Sequence, residues 1–556
     1  MTRNTTFLIL FTISLFCAQS VFGAKGLKFS LEKTVVLVNS IDSYQTSNYF
    51  EGSNETDAQQ RFYFSVIETE KLISKQASVI IEGKAKKINI ESNFTVSTIN
   101  WGSVFNGIRT YSITLPPRCI FKIEYQTSAQ ETIFLSDIEK SGVHQADDFF
   151  YEVTLPANLE ASFRHRTEKK SGRFVITNQD FQTNEERIYF LIHPKGAEPN
   201  TYFNNWFIKK TEGHEALNTS LLPQNLTDLA KKGKSTELAK ACFAYVQENI
   251  QYLDIENGLN ALIPRQANQT IQNKYGDCKD MAMLLHQLLK NFGFESYMSI
   301  SKTSTKKDTY DFPSIAMANH MIVSLVWENK MYFLDCTEQE CLFGDPSMQI
   351  LGTEAFLIGK KEQQYQPVPA ILQFQPKLLF EYRFYLNDKT QQPAYQLKMT
   401  FQEKFGLVFR HMNQYGNAEE KTRKIIDYLI PYAHTVDSTQ STEHQTSFLI
   451  SSDLPTSYFN LINKQYYIDL KCLPEITKMM EVAYNNDSAR FNADFQITFN
   501  QLKFKQTFDP SKGIDLETNG TENKYILHLT PENTGKKGPL TNYWKTYLLK
   551  PAIIIE

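Results

Sequence analysis

The sequence predicts an α+β protein of several domains, in which two antiparallel β-rich, sandwich-like stretches flank a middle block of helices and strands. Three observations carry this expectation. Apolar–polar alternation with a period of two fills residues 26–205. Apolar positions at helical spacing replace it after residue 215, and alternation returns beyond residue 370. At 556 residues, with 41% hydrophobic, 13% aromatic and 21% charged residues, the chain has the make-up of folded domains rather than of a disordered or collagen-like polymer. Forty Phe and 28 Tyr supply large cores, and the length is right for about three or four domains.

In chain order, residues 1–23 read as a secretory signal peptide: Arg3, the apolar run from Phe7 to Phe16, then Val21-Phe22-Gly23 at the exit. The run is too short for a membrane anchor, which needs ~20 apolar residues, and no later stretch is long and apolar enough to span a bilayer. Export to a periplasm, a cell surface or the medium is the expectation. Residues 24–210 form the N-terminal β-rich domain, with alternation at Ser78-Val79-Ile80-Ile81-Glu82, Phe121-Lys122-Ile123-Glu124-Tyr125 and Arg173-Phe174-Val175-Ile176. Whether this length makes one elaborated sandwich or two smaller ones stays open.

In the block 215–362, Ser235 caps a helix with Leu238, Cys242, Phe243, Val246 and Ile250 on its apolar face. A second helix follows Asp277-Cys278-Lys279-Asp280, with Met281, Leu284, Leu285, Leu288 and Leu289 inside and Gly293 at its end. Strands follow at Phe294–Ile300, His320–Trp327 and Met331–Asp335. Pro367, Pro369 and Pro376 mark a linker. Residues 370–556 form the second β-rich domain, interrupted by a helix around Ala418–Tyr432.

Composition also restricts function. With 58 basic and 61 acidic residues, a net charge of −3 leaves no overall electrostatic footprint for nucleic acid. Seven Cys are too few for a disulfide scaffold, no Cys-x-x-Cys or His-Glu-x-x-His occurs, and no Gly-rich phosphate loop is present. No metal or cofactor is therefore expected. The segment with most chemical content is Tyr275-Gly276-Asp277-Cys278-Lys279-Asp280. Asp277 sits where an N-cap belongs and Asp280 three residues on, so Cys278 opens the helix. A thiolate there meets unpaired backbone N–H groups and the positive end of the helix dipole, and the same groups can hold an oxyanion. Taken alone, such a cysteine is more often a buried cap of a core helix. Two further residues change the balance. His320 opens one strand and Asp335 ends the next. If the intervening hairpin loop is Glu328-Asn329, Asp335 becomes a same-face diagonal neighbour of His320. A carboxylate so placed orients an imidazole that takes the thiol proton.

The stretch from Ile263-Pro264 through Gly276-Asp277-Cys278-Lys279-Asp280, Asn319-His320 and Leu334-Asp335-Cys336-Thr337 resembles the transglutaminase-like superfamily. More narrowly, it resembles bacterial exported members in which a β domain of unknown function precedes the core and another follows it. The resemblance implies a papain-like α+β core with Cys278 as nucleophile, His320 as general base and acid, and Asp335 as orienting carboxylate. Relatives usually carry Asp-Pro-Thr where this chain has Asp335-Cys336-Thr337; losing the Pro removes no catalytic group and leaves room for a Cys336–Cys341 disulfide beside the site. For a side-chain oxyanion donor, Gln266 and Gln269 are the candidates.

The leading expectation is thus an exported cysteine enzyme that forms a thioester with a peptide or protein amide and resolves it with water or an amine. Because no calcium-site pattern of carboxylates occurs, hydrolysis is favoured over cross-linking. The rival is a catalytically silent envelope or surface scaffold, since most of the chain is β-rich. A carbohydrate-active enzyme with paired carboxylates ranks far below, having only scattered Asp and Glu behind it.

Overall fold

The computed structural model describes residues 26–66, 70–98, 104–140, 146–182, 185–253, 263–303, 310–338, 341–369 and 377–402, and shorter runs between 423 and 554. The proposed signal peptide, residues 1–23, lies outside them. So does the expected helix at Ala418–Tyr432, apart from Arg423, Ile426, Asp427 and Ile430. Mixed α+β architecture is observed, with β-rich sheets before and after a helix-containing core. The described residues group into two compact units: those of 26–303, 310–331 and 353–367 in one, and those of 332–352 and 368–554 in the other.

In the first unit, β1 (Leu27–Ser40), β2 (Ser43–Asn54), β3 (Gln60–Val66), β4 (Glu70–Ile81), β5 (Lys84–Lys87), β6 (Glu91–Thr98), β7 (Val104–Leu115) and β8 (Cys119–Gln130) come first. Then follow β9 (Asp137–Glu139), β10 (Asp148–Thr154), β11 (Leu159–Phe163), β12 (Arg173–Thr177) and β13 (Arg187–Pro194). They build a seven-stranded sheet in the order β12-β10-β1-β2-β8-β4-β5 and two three-stranded sheets, β3-β7-β6 and β11-β13-β9. Pairing is antiparallel except between β1 and β10, which run parallel. More than a hundred residues separate those two strands, ample for the crossover that a parallel pair needs.

One sheet serves two cores. The 14 residues of β1 span roughly 46 Å, longer than one core requires. Its first half buries Phe29 with Phe50, Phe62, Phe64, Phe121 and Tyr125. Its second half buries Val36 and Val38 with Tyr44, Val153, Phe163 and Phe190. The choice between one sandwich and two thus resolves as a shared sheet with two facing layers.

Helix α1 (Pro199–Thr211) follows, inside the stretch whose pattern reads as β. Pro199 starts it and the Glu198 carboxylate accepts from the Thr201 amide at 2.7 Å. Its buried positions are Phe203, Asn204, Phe207 and Thr211. Two of those four are polar, so the apolar stripe that announces a helix is weak.

The core comprises α2 (Gln224–Lys231), α3 (Thr236–Asn249), β14 (Gln251–Tyr252), α4 (Ala267–Asn273), β15 (Tyr275–Gly276) and α5 (Cys278–Asn291). Then come β16 (Glu295–Ser301), β17 (His320–Trp327), β18 (Lys330–Leu334), β19 (Glu354–Leu357) and β20 (Tyr365–Pro367). In the first unit α3 and α4 pack on α5, and α5 packs across β16 and β17 of a sheet ordered β17-β16-β19-β20. Met281, Leu284, Leu285, Leu288 and Leu289 are all buried on the inner face of α5, as their spacing requires. Burying each contributes about 1.5–3 kcal/mol relative to exposure.

The second unit contains a seven-stranded sheet. Its order is Thr435–Ser441, Gln445–Asp453, Pro393–Gln402, Lys377–Leu386, Asp494–Asn500, Lys524–Leu529 and Asp515–Asn519. Lys377–Leu386 and Asp494–Asn500 are parallel, the other pairs antiparallel. Alternate residues Tyr382, Phe384, Tyr395, Leu397, Met399 and Phe401 are buried.

Candidate active site

The start of α5 is built by the motif around the cysteine. Helix α4 ends at Lys274 in the left-handed conformation (φ 58°), which turns the chain into the two-residue strand β15. Parallel pairing with β14 holds that strand, Gln251 opposite Tyr275 and Tyr252 opposite Gly276. Gly276 is required by close approach: a Cβ there would lie 2.7 Å from Asp280 Cβ and 3.2 Å from its Oδ2.

Asp277 caps the helix, its Oδ1 accepting from the amides of Lys279 (3.1 Å) and Asp280 (3.2 Å). Asp280 closes the box, its Oδ2 accepting from the Asp277 amide at 3.3 Å. The other Asp280 oxygen accepts from the Arg265 amide at 2.7 Å, and the Arg265 guanidinium lies 3.3 Å from Oδ2 and 5.2 Å from the centre of the Tyr275 ring. The Lys279 ammonium, itself buried, bonds to the second Asp277 oxygen.

Burial pushes the Asp277 carboxyl up to about 6 against the opposing pull of Lys279. Burial alone would lower the Lys279 pKa, but Asp277, Cys278 and Asp280 hold it above the ordinary value, so the ammonium stays charged. Sequence reasoning missed Lys279 and Arg265 as parts of this assembly. The alternation of charge at 277, 279 and 280 is the signal that was there to read.

Cys278 occupies the first helical position and is half-buried. Two of the first amides are spent on Asp277, so among the described residues the Cys278 amide is the one at this helix start left for an incoming anion. Gln266 and Gln269, the candidate oxyanion donors, are both exposed, and the Gln266 side chain makes no cap bond to α4.

Helix α5 ends at Phe292-Gly293, where Gly293 (φ 82°) donates to Lys290 O at 3.0 Å and Phe294 to Leu289 O at 2.9 Å. The chain therefore reverses directly into β16. A 14-residue helix rises ~21 Å and a seven-residue strand ~23 Å, so Ser301 returns to the level of Cys278. Ser301 is the register partner of His320, which opens β17. The fold thus brings His320 and Cys278 to the same end of the helix-on-sheet layer. Just before His320, Asn319 is clamped to Thr303, accepting from its amide at 2.7 Å and donating to its hydroxyl at 2.7 Å. The opposite end of β17 is fixed by Trp327, which donates to Thr236 Oγ1 at 3.0 Å and meets the Phe294 ring edge-on at 5.1 Å.

The turn after β17 has Glu328 (φ 52°) and Asn329 (φ 61°) both left-handed, as a two-residue type I′ hairpin demands. Asp335 lies in the second unit. It is buried, and its Oδ1 accepts from the amide (3.0 Å) and hydroxyl (2.7 Å) of Thr337. Cys336 and Cys341 are buried there too. No disulfide joins them, and the Cys341 thiol donates to Asp345 O at 3.2 Å. Among the described residues no group of three or more His, Cys, Asp or Glu is placed to hold a metal ion, and no helix is long and apolar enough to cross a membrane.

Helix-borne cysteine, helix-on-sheet layer and strand-opening histidine together define a transglutaminase-like core, and residues 223–333 match the family model of the transglutaminase-like superfamily. This core sits within a larger protein. A candidate protease from Parabacteroides distasonis ATCC 8503 shares the fold with a TM-score of 0.52 at 10% identity, the match covering 95% of this chain and 99% of that one. Weaker matches include a candidate nutrient-binding protein from Legionella pneumophila (TM-score 0.20, 11% identity, 41% of this chain and 82% of that one). Another is a candidate cysteine protease from Cytophaga hutchinsonii (TM-score 0.15, 12% identity, 57% and 79%). Comparison with curated protein sequences finds no match.

Proposed function

We propose that the core is a cysteine-dependent hydrolase of peptide or amide bonds acting outside the cytoplasm. One observation carries the reading: a partly exposed thiol opens a helix whose other cap groups are all engaged, at the end of the layer where a strand begins with His320. In the proposed reaction His320 takes the Cys278 proton and the thiolate attacks the acyl carbon. The Cys278 amide stabilises the oxyanion. The leaving amine takes the proton back from His320 as the C–N bond breaks, leaving a thioester. His320 then deprotonates water, which attacks the thioester, and its proton returns to sulfur as the carboxylic acid leaves. Asp335 is assigned the orienting role from its place in the sequence, two residues before the Thr337 that fixes it. The candidate protease of the same fold is in keeping with hydrolysis. Export rests on the Arg3-to-Gly23 pattern, and cell fractionation tests it.

The chemical test is alkylation of the full chain with iodoacetamide, followed by mass spectrometry of the Cys278 peptide. An activated pair keeps Cys278 reactive from pH 8 down to pH 6. A free thiol loses about tenfold per pH unit below its pKa of ~8.5, and that result at Cys278 overturns the reading in favour of a silent scaffold.

A further inference from the structure

The segment that delivers His320 is held by the N-terminal β-rich region. Arg164, the residue after β11, grips Asp311 through two bonds, Nε to Oδ1 at 2.6 Å and Nη2 to Oδ2 at 3.0 Å. Both side chains are largely shielded from solvent, at 14% and 28% exposure. His165 Nε2 stands 3.7 Å from the same carboxylate. Arg164 is itself fixed, its amide donating to Tyr189 O on β13 at 3.0 Å.

A few residues on, fully buried Ser136 makes a second attachment. Its carbonyl accepts from the Ser314 hydroxyl at 2.9 Å and its hydroxyl accepts from the Ala316 amide at 3.1 Å. Residues 311–316 are therefore fastened to the N-terminal region at two levels, and only Met317, Ala318 and Asn319 separate the second of these from His320.

Resting on the catalytic reading above, we infer that Arg164 is a positioning residue: through Asp311 it sets where β17 begins and so holds His320 in reach of Cys278. The N-terminal region is on this account part of the working site. A planar guanidinium matched to a shielded carboxylate fixes direction as well as distance, and a misplacement of about 1 Å at a reacting group costs on the order of a hundredfold.

The test uses the full chain with Arg164→Met, Arg164→Lys and the isosteric Asp311→Asn, iodoacetamide as the probe, and rates at Cys278 from pH 5 to 9. Melting curves establish which variants fold; should Arg164→Met unfold, Asp311→Asn carries the comparison. Expected is a loss of about tenfold or more at pH 6 in Arg164→Met and Asp311→Asn, an intermediate loss in Arg164→Lys, and convergence on wild type at pH 9. Convergence belongs to a displaced imidazole, because at that pH a thiol ionises without help. A wild-type plateau that persists unchanged in the folded variants, or a loss equal at every pH, overturns this inference alone. An ordinary-thiol profile in wild type overturns the catalytic reading and this inference with it.

Discussion

Replacing Lys279 with Met probes the construction of the site most directly. Met keeps much of the aliphatic stem in place, so the perturbation is the loss of one buried ammonium. Asp277 and Asp280 are each about 1% exposed, and Lys279 is 5% exposed. Without Lys279, two neighbouring carboxylates share the Arg265 guanidinium, which contacts Asp280 rather than Asp277. Breaking a buried pair by removing one partner costs about 3–5 kcal/mol, a melting shift on the order of 10 °C for domains of this size.

The companion variant removes both charges. Asn at position 277 retains an oxygen for the amides of Lys279 and Asp280, so Asp277→Asn combined with Lys279→Met should recover to within about 1 kcal/mol of wild type. The pH response has a definite sign. The folded-state pKa of Asp277, about 6, lies above its ordinary value of 3.8. The folded state therefore binds the proton more tightly, and this group's contribution to stability is present below pH 3.8 and lost as pH rises through 6. The Lys279→Met penalty must then be larger at pH 7.5 than at pH 5. Urea and thermal melts followed by circular dichroism at the two pH values measure it. A single variant within 1 kcal/mol of wild type at pH 7.5, or a double variant no better than the single, would refute the buried-pair account.

Gly276→Ala drives a Cβ to 2.7 Å from Asp280 Cβ and should cost about 1–3 kcal/mol, read as a lowered melting temperature, because Asp280 cannot retreat without releasing Arg265 and Asp277. His286 is held down to about 4 by burial and by nearby Lys290, with Glu215 opposing. Its neutral form therefore stabilises the fold above pH 6.5, and that contribution, about 2–3 kcal/mol, is lost as pH falls towards 4; His286→Gln should flatten the urea midpoint over this window. Cys278→Ala should leave stability within about 0.5 kcal/mol of wild type in the same melts, since the side chain is small and partly exposed.

Local features were legible in the sequence and long-range ones were not. The Ser235 cap, the Asp277–Asp280 box, the Gly293 stop and the Glu328-Asn329 turn all depend on contacts within a few residues, and each stands where its residue type puts it. Helix α1 escaped because half of its buried positions are polar. The shared sheet with two cores escaped because alternation tells which residues face inwards but not which layer covers them. Arg164 and Asp311, 147 residues apart, carry no local signal at all; only the fold makes them partners.

The same distinction explains why the sequence could not choose between enzyme and scaffold. Of the string Gly276-Asp277-Cys278-Lys279-Asp280, Gly276 makes room for Asp280, Asp277 and Asp280 cap the helix, and Lys279 neutralises Asp277. Four of the five residues are consumed in building the turn, so the specificity of the motif is first of all specificity for a geometry. Both readings need that geometry, and they part only at the sulfur of Cys278 and the imidazole that serves it. Reactivity at that one atom, and its dependence on Arg164 far away in the chain, is therefore where the question of function is decided.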